Sequence, residues 1–155
     1  MDIALSRRLE PATLQACLSG LLPGLVVDVA DAWAAPRPAC DVVVVMCDNP
    51  SEFPCGLLVG VGLVDASGAA AWLRELARRL SIELGCRAVC DGAGLGDDAS
   101  PYWSVVWDSG VAYLADDLAT LLADGDGGPV VVRRPLPELG ARPVDLVASV
   151  RRHEG

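Results

Sequence analysis

Ser67-Gly68-Ala69-Ala70-Ala71-Trp72-Leu73-Arg74-Glu75-Leu76-Ala77-Arg78-Arg79-Leu80-Ser81-Ile82-Glu83-Leu84-Gly85 is the stretch on which the fold turns. Ala69, Leu73, Leu76, Leu80 and Leu84 recur at the spacing of one helical face, and Arg74, Glu75, Arg78, Arg79 and Glu83 fall on the water side. Ser67 is placed to cap the first turn, and Gly85 to end the last in the left-handed conformation that glycine tolerates. Glu75 and Arg79 stand in the favourable i,i+4 order.

The neighbours of this helix read as strands. Downstream, Arg87 to Cys90 is one; Tyr102 to Trp107 and Val111 to Leu114 are two more about a tight Asp108-Ser109-Gly110 turn. Upstream, Asp2 to Leu9 partly alternates, and Val42 to Met46 is a β-branched run typical of a strand covered on both faces. Leu25 to Val29, Leu57 to Val64 and Val130 to Arg133 complete the strands. Shorter helices are expected from Pro11, with Leu14, Cys17, Leu18 and Leu21 inward, over Asp116 to Ala123, and over Pro143 to Arg152. Strands clustered between helices and linked by hairpins predict an α+β fold. The expectation is a single compact domain over 1–155, a mainly antiparallel sheet packed with one long amphipathic helix (about 67–84) and two or three shorter ones.

Composition bounds the function. The 155 residues are 52% hydrophobic and 21% charged, enough to bury a core and unlike a disordered tail. Acids outnumber bases by 21 to 12, for a net charge of −9, which disfavours nucleic acid and anionic membranes and favours a basic partner. The longest apolar run, Gly56 to Val64, is far short of a membrane span. Leu14-Gln15-Ala16-Cys17 resembles a lipoprotein cleavage box, but Arg7, Arg8, Glu10 and Pro11 replace its apolar leader. The expectation is a cytoplasmic protein with reduced thiols.

Reactive motifs are incomplete. Cys86 and Cys90 stand four apart on one predicted strand, about 13 Å end to end, too far for one zinc ion; Cys40, Cys47 and Cys55 are irregularly spaced, and the cysteines read as buried small hydrophobes. The lone histidine, His153, lies near the end of the chain, which leaves histidine-dependent triads without a base. Gly92-Ala93-Gly94-Leu95-Gly96 is half of a dinucleotide fingerprint, but Asp97, Asp98 and Pro101 follow where a helix should open, so a flexible loop is expected. Asp124-Gly125-Asp126-Gly127 suggests a calcium loop, yet its twelfth position is Pro135 rather than a bidentate glutamate. The reading is a binding protein rather than an enzyme, with no catalytic residue, no cofactor and no metal.

Charge is uneven. Between Arg87 and Arg133 there is no basic residue, while Asp91, Asp97, Asp98, Asp108, Asp116, Asp117, Asp124 and Asp126 fall inside. Tyr102, Trp103 and Trp107 share the segment. Aromatic area rimmed by carboxylates suits capture of a basic protein, with the ring as anchor and the acids steering encounter. The candidate partner-binding residues are Asp91, Asp97, Asp98, Tyr102, Trp103, Trp107, Asp108, Asp116 and Asp117, with Trp103 or Trp107 as anchor.

Ala71-Trp72-Leu73-Arg74-Glu75-Leu76-Ala77-Arg78-Arg79-Leu80 leading to Cys86-Arg87-Ala88-Val89-Cys90-Asp91 resembles the small immunity proteins of bacterial polymorphic-toxin and contact-dependent inhibition systems. The likeness runs from Asp41 to Asp117 and lies in pattern and charge. It implies an inhibitor, monomer or homodimer, that neutralises a cognate toxin domain by occluding its active site with an acidic face. The alternative is an acidic secretion chaperone, a dimer that holds an unfolded stretch of an effector.

Overall fold

The computed structural model describes residues 2–31, 39–118 and 129–152. The short apolar runs form eight strands: β1 (Asp2–Leu5), β2 (Val27–Asp31), β3 (Val42–Asp48), β4 (Cys55–Val61), β5 (Arg87–Asp91), β6 (Trp103–Asp108), β7 (Val111–Asp116) and β8 (Val131–Pro135). They make one sheet in the order β2-β3-β4-β1-β5-β6-β7-β8. Only β2 and β3 pair parallel. β1, first in the chain, is central in the sheet, with Ile3 opposite Leu57 on one side and Cys90 on the other.

Two helices are described, α1 (Pro11–Leu21) and α2 (Ala69–Leu84). Alternation along the strands turns Ile3, Leu5, Val44, Leu57, Ala88, Val105 and Leu114 into one core with the inward leucines of both helices. The opposite face carries a smaller cluster of Phe53, Val106 and Ala115. The structure is thus α+β. α1 also closes an edge: the Gln15 amide donates to the Val27 carbonyl at 2.8 Å and accepts from the Val29 N–H at 3.0 Å, standing in for a missing neighbour strand.

α2 ends where the sequence places its stop, at Gly85 in the left-handed conformation (φ 59°). Its start differs. Asp65, not Ser67, is the capping side chain; its carboxylate accepts from the Ser67 N–H at 3.0 Å and holds a 3₁₀ turn, Ala66–Gly68, that leads into the helix. Glu75 also differs: it is 6% exposed and pairs with Arg78, through bonds of 2.9 and 2.7 Å, rather than with Arg79. The cause is a covering layer. Leu136, Leu146 and Val150 are buried, the Trp72 indole donates to the Leu146 carbonyl at 3.0 Å, and Gly140 lies against the Arg78 side chain.

That layer replaces the closing helix expected over 143–152. Asp145 instead accepts from the Val147 and Ala148 N–H groups in a turn, and Val150 bridges to Leu63. The helix expected over 116–123 begins later than expected: Asp116 still belongs to β7 and Leu118 is the first helical residue, while residues 119–123 lie outside the described residues. No helix among the described residues is long and apolar enough to cross a membrane.

Candidate functional site

Antiparallel pairing brings four strand ends to one end of the sheet. β5 leaves it at Asp91, β6 enters at Trp103, β7 leaves at Asp116, and β1 enters at Asp2, with Asp91 opposite Ser104 and Trp103 opposite Asp116. Asp117 follows β7 directly, and its N–H donates to the Tyr102 carbonyl at 3.0 Å. Asp97 and Asp98 sit on the loop between β5 and β6. Of the six candidate aspartates through Asp117, Asp91, Asp97, Asp98, Asp116 and Asp117 therefore share this end. Asp108 does not: it stands at the turn between β6 and β7, opposite Arg87 at the far end.

The glycine-rich loop is tied down rather than loose. The Trp103 indole N–H donates to an Asp98 carboxylate oxygen at 2.8 Å, and Asp98 also accepts from the Ser100 N–H at 2.9 Å. Those two bonds, the backbone one first, hold the Asp98 carboxyl below its ordinary pKa. Gly96 lies so close to the ring that a Cβ there would meet Trp103 Nε1 at 2.0 Å, so only glycine lets the loop close over the indole. Trp103 is half-buried and fastens the loop.

Trp107 is removed from the candidate surface. It shares the parity of Trp103, as the alternation requires, but it is 1% exposed and stands between Ala88 and Ala112 on the helix-covered face. Two alanine neighbours leave the space that its ring fills. Tyr102 is half-buried just before β6, where its backbone joins Ser100 and Asp117.

The acidic run is also less bare than its sequence. β8 places Arg133 3.4 Å from Asp116 and Arg134 3.8 Å from Asp97, and Arg74 of α2 donates to the Asp91 carbonyl at 3.3 Å. These arginines lie outside the 88–132 segment and reach it only through tertiary pairing. Among the described residues, the carboxylates of Asp91, Asp98 and Asp117 form no ion pair.

Beside these groups lies a cavity of about 620 Å³. Asp2, Asn49, Asp91, Ser104 and Asp117 are its polar side chains among the described residues, and Leu58, Leu73, Val89 and Trp103 are among its apolar walls. Ala69 and Ala70 of the first turn of α2 close one side. The Ser104 hydroxyl donates to Asp117 Oδ2 at 2.9 Å, while Asp117 Oδ1 is shielded from solvent and accepts no hydrogen bond. Burial raises the Asp117 pKa, against the lowering by the Ser104 hydroxyl and by the N–H of Asp117 itself, and the charges of Asp116 and Asp91 add to the rise. Asp2, Ser104, Leu58 and the arginines were not singled out by sequence; Ser104 sits inside an apolar run with nothing to mark it.

Among the described residues no nucleophile is assembled with a base: the Ser104 hydroxyl meets only the Asp117 carboxylate, and Cys90, on the cavity wall, is raised to about 12 by burial, which keeps it a thiol. No group of three His, Cys, Asp or Glu among the described residues is arranged to hold a metal ion. The arrangement is a carboxylate-rich end beside an apolar-walled cavity, suited to positive charge. Compared with family models, with curated proteins and with solved structures, the chain matches none.

Proposed function

We propose that this chain is an inhibitory binding protein of the immunity type, which docks its carboxylate-rich end on a basic toxin domain and occludes that domain's active site. One observation supports the reading: five aspartates spread over 27 residues of chain, 91 to 117, meet at one end of the sheet. Exposed Asp91, Asp97 and Asp98 give that end its outward charge. Charges so gathered steer a basic partner into contact more than they add raw affinity. The loop bearing Asp97 and Asp98 is already fastened by Trp103, so little ordering entropy is lost on docking.

Affinity capture of the tagged protein from its own cells, at low and moderate salt with mass spectrometry of the eluate, tests this. The expected result is one stoichiometric basic protein whose activity ceases on binding. A bare protein at both salts contradicts the reading, as does a partner that stays active in the complex.

A further inference from the structure

The two edges of the sheet are closed by different means. At β8 all five residues are exposed, a bulge beside Leu114 and Ala115 disturbs the pairing with β7, and the strand carries Arg133 and Arg134 and ends on Pro135. Bulges, basic side chains and proline are the ordinary ways in which an edge is kept from pairing with another chain. β2 has none of them. It runs in unbroken register with β3 from Val27 to Asp31, and Val26, Val27 and Val29 favour extended backbone.

Among the described residues, one side chain of α1 meets the outward backbone of β2. The Val26 carbonyl faces β3, where it accepts from the Asp41 and Val42 N–H groups at 2.8 and 3.1 Å. The Val27 carbonyl and the Val29 N–H point the other way, and both go to the Gln15 amide, at 2.8 and 3.0 Å. A donor to one carbonyl with an acceptor for the N–H two residues on is what a single residue of a parallel neighbour strand supplies. Gln15 fills that place at the centre of the edge. The Ser19 hydroxyl, one turn along α1, accepts from the same amide nitrogen at 3.3 Å and helps to aim it. The residue type matters: glutamate would set an acceptor against the Val27 carbonyl, lysine would leave the Val29 N–H unmet, and leucine would satisfy neither.

We infer that Gln15 is an edge guard: by occupying the outward backbone groups of β2 it stops a second copy of this chain from adding its own β2 there, and so keeps the protein monomeric. The inference goes beyond the proposed function and holds whatever the acidic end binds. An open edge is a template for pairing, and the identical edge of another copy is the strand always at hand.

Sedimentation velocity at moderate salt, which screens the net charge of −9, compares the parent, Gln15→Ala and Gln15→Lys over about a hundredfold range of concentration. Exchange of the Val29 amide is followed alongside by NMR. The parent is expected to stay at 16.1 kDa throughout. Dilute Gln15→Ala is expected to exchange Val29 about fivefold to tenfold faster, the worth of one hydrogen bond, and on concentration to move toward twice the parent mass with Val29 protected again. Gln15→Lys should exchange Val29 as fast as Gln15→Ala yet remain monomeric, because a lysine on an edge is itself a guard. Should Gln15→Ala fail to fold, Gln15→Met, which keeps the stem without the amide, is the second variant with the same expectation. A parent that doubles in mass overturns the inference, as does a Gln15→Ala chain that stays monomeric at every concentration. Association of Gln15→Lys as full as that of Gln15→Ala overturns it too, since that marks a loosened fold rather than an opened edge.

Discussion

The two ends of the β6–β7 hairpin carry aspartates of the same chemistry in different surroundings. At the turn end, Asp108 faces solvent beside Ser109, whose φ is 50°, with the Gly110 N–H fastened to Ser81 Oγ at 3.1 Å. At the open end, Asp116 and Asp117 meet Asp91, Asp97 and Asp98 over a fastened loop and a cavity. The antiparallel run β5–β6–β7 sends Asp108 and Asp116 to opposite ends of the sheet, while it brings Asp91 and Asp116 to the same end. Charge density along a chain is therefore a poor map of charge density in space.

The largest effect expected separates the two tryptophans of β6. Trp107→Ala empties a fully enclosed site between Ala88 and Ala112 and should cost about 3–5 kcal/mol in urea unfolding. Trp103→Ala should cost clearly less and show instead as faster amide exchange across 92–101. Equal costs would blur the assignment of one ring to the core and the other to the loop.

Gly96→Ala should come next, at about 1–3 kcal/mol, because its methyl collides with the Trp103 indole and one of the two must move. Tryptophan emission should shift with it. A variant with parent stability and emission would mean that the loop does not close over the ring.

The smallest effect is the most diagnostic of sign. Asp117 has its folded pKa raised, so the folded chain holds that proton to higher pH than the unfolded chain does. Its penalty is absent below the ordinary carboxylate value and grows as pH rises through the folded pKa. Asp117→Asn should therefore stabilise at neutral pH, by no more than about 1 kcal/mol for a partly solvated group, and the gain should vanish below about pH 4. Urea midpoints at pH 7 and pH 3.5 decide it; a variant less stable at neutral pH would mean that Asp117 serves the fold.

What the sequence made legible was local. The α2 leucine spacing and Gly85, the Asp108-Ser109-Gly110 turn and the valine run of β3 each act within a few residues, and each element forms where it was expected. What it hid depends on partners far along the chain. Glu75 faces a covering layer because Leu136 and Leu146 return over α2, and the acids at 97 and 116 meet arginines delivered by β8. Leu146 and Val150 are four apart, which imitates a helix face, but an Asp145 turn after Pro143 buries both. The cavity was invisible for the same reason: its walls come from β1, β3, β4, β5, β6 and α2.

The comparison between the ends is tested most directly by reversing one charge at each. With the captured partner immobilised, association rates are measured against ionic strength for the parent, Asp91→Lys, Asp97→Lys and Asp108→Lys. The account predicts slower association and a shallower salt dependence for the first two variants, with Asp108→Lys close to the parent. Equal losses at both ends, or none at Asp91 and Asp97, would contradict the claim that the gathered carboxylates are the docking face.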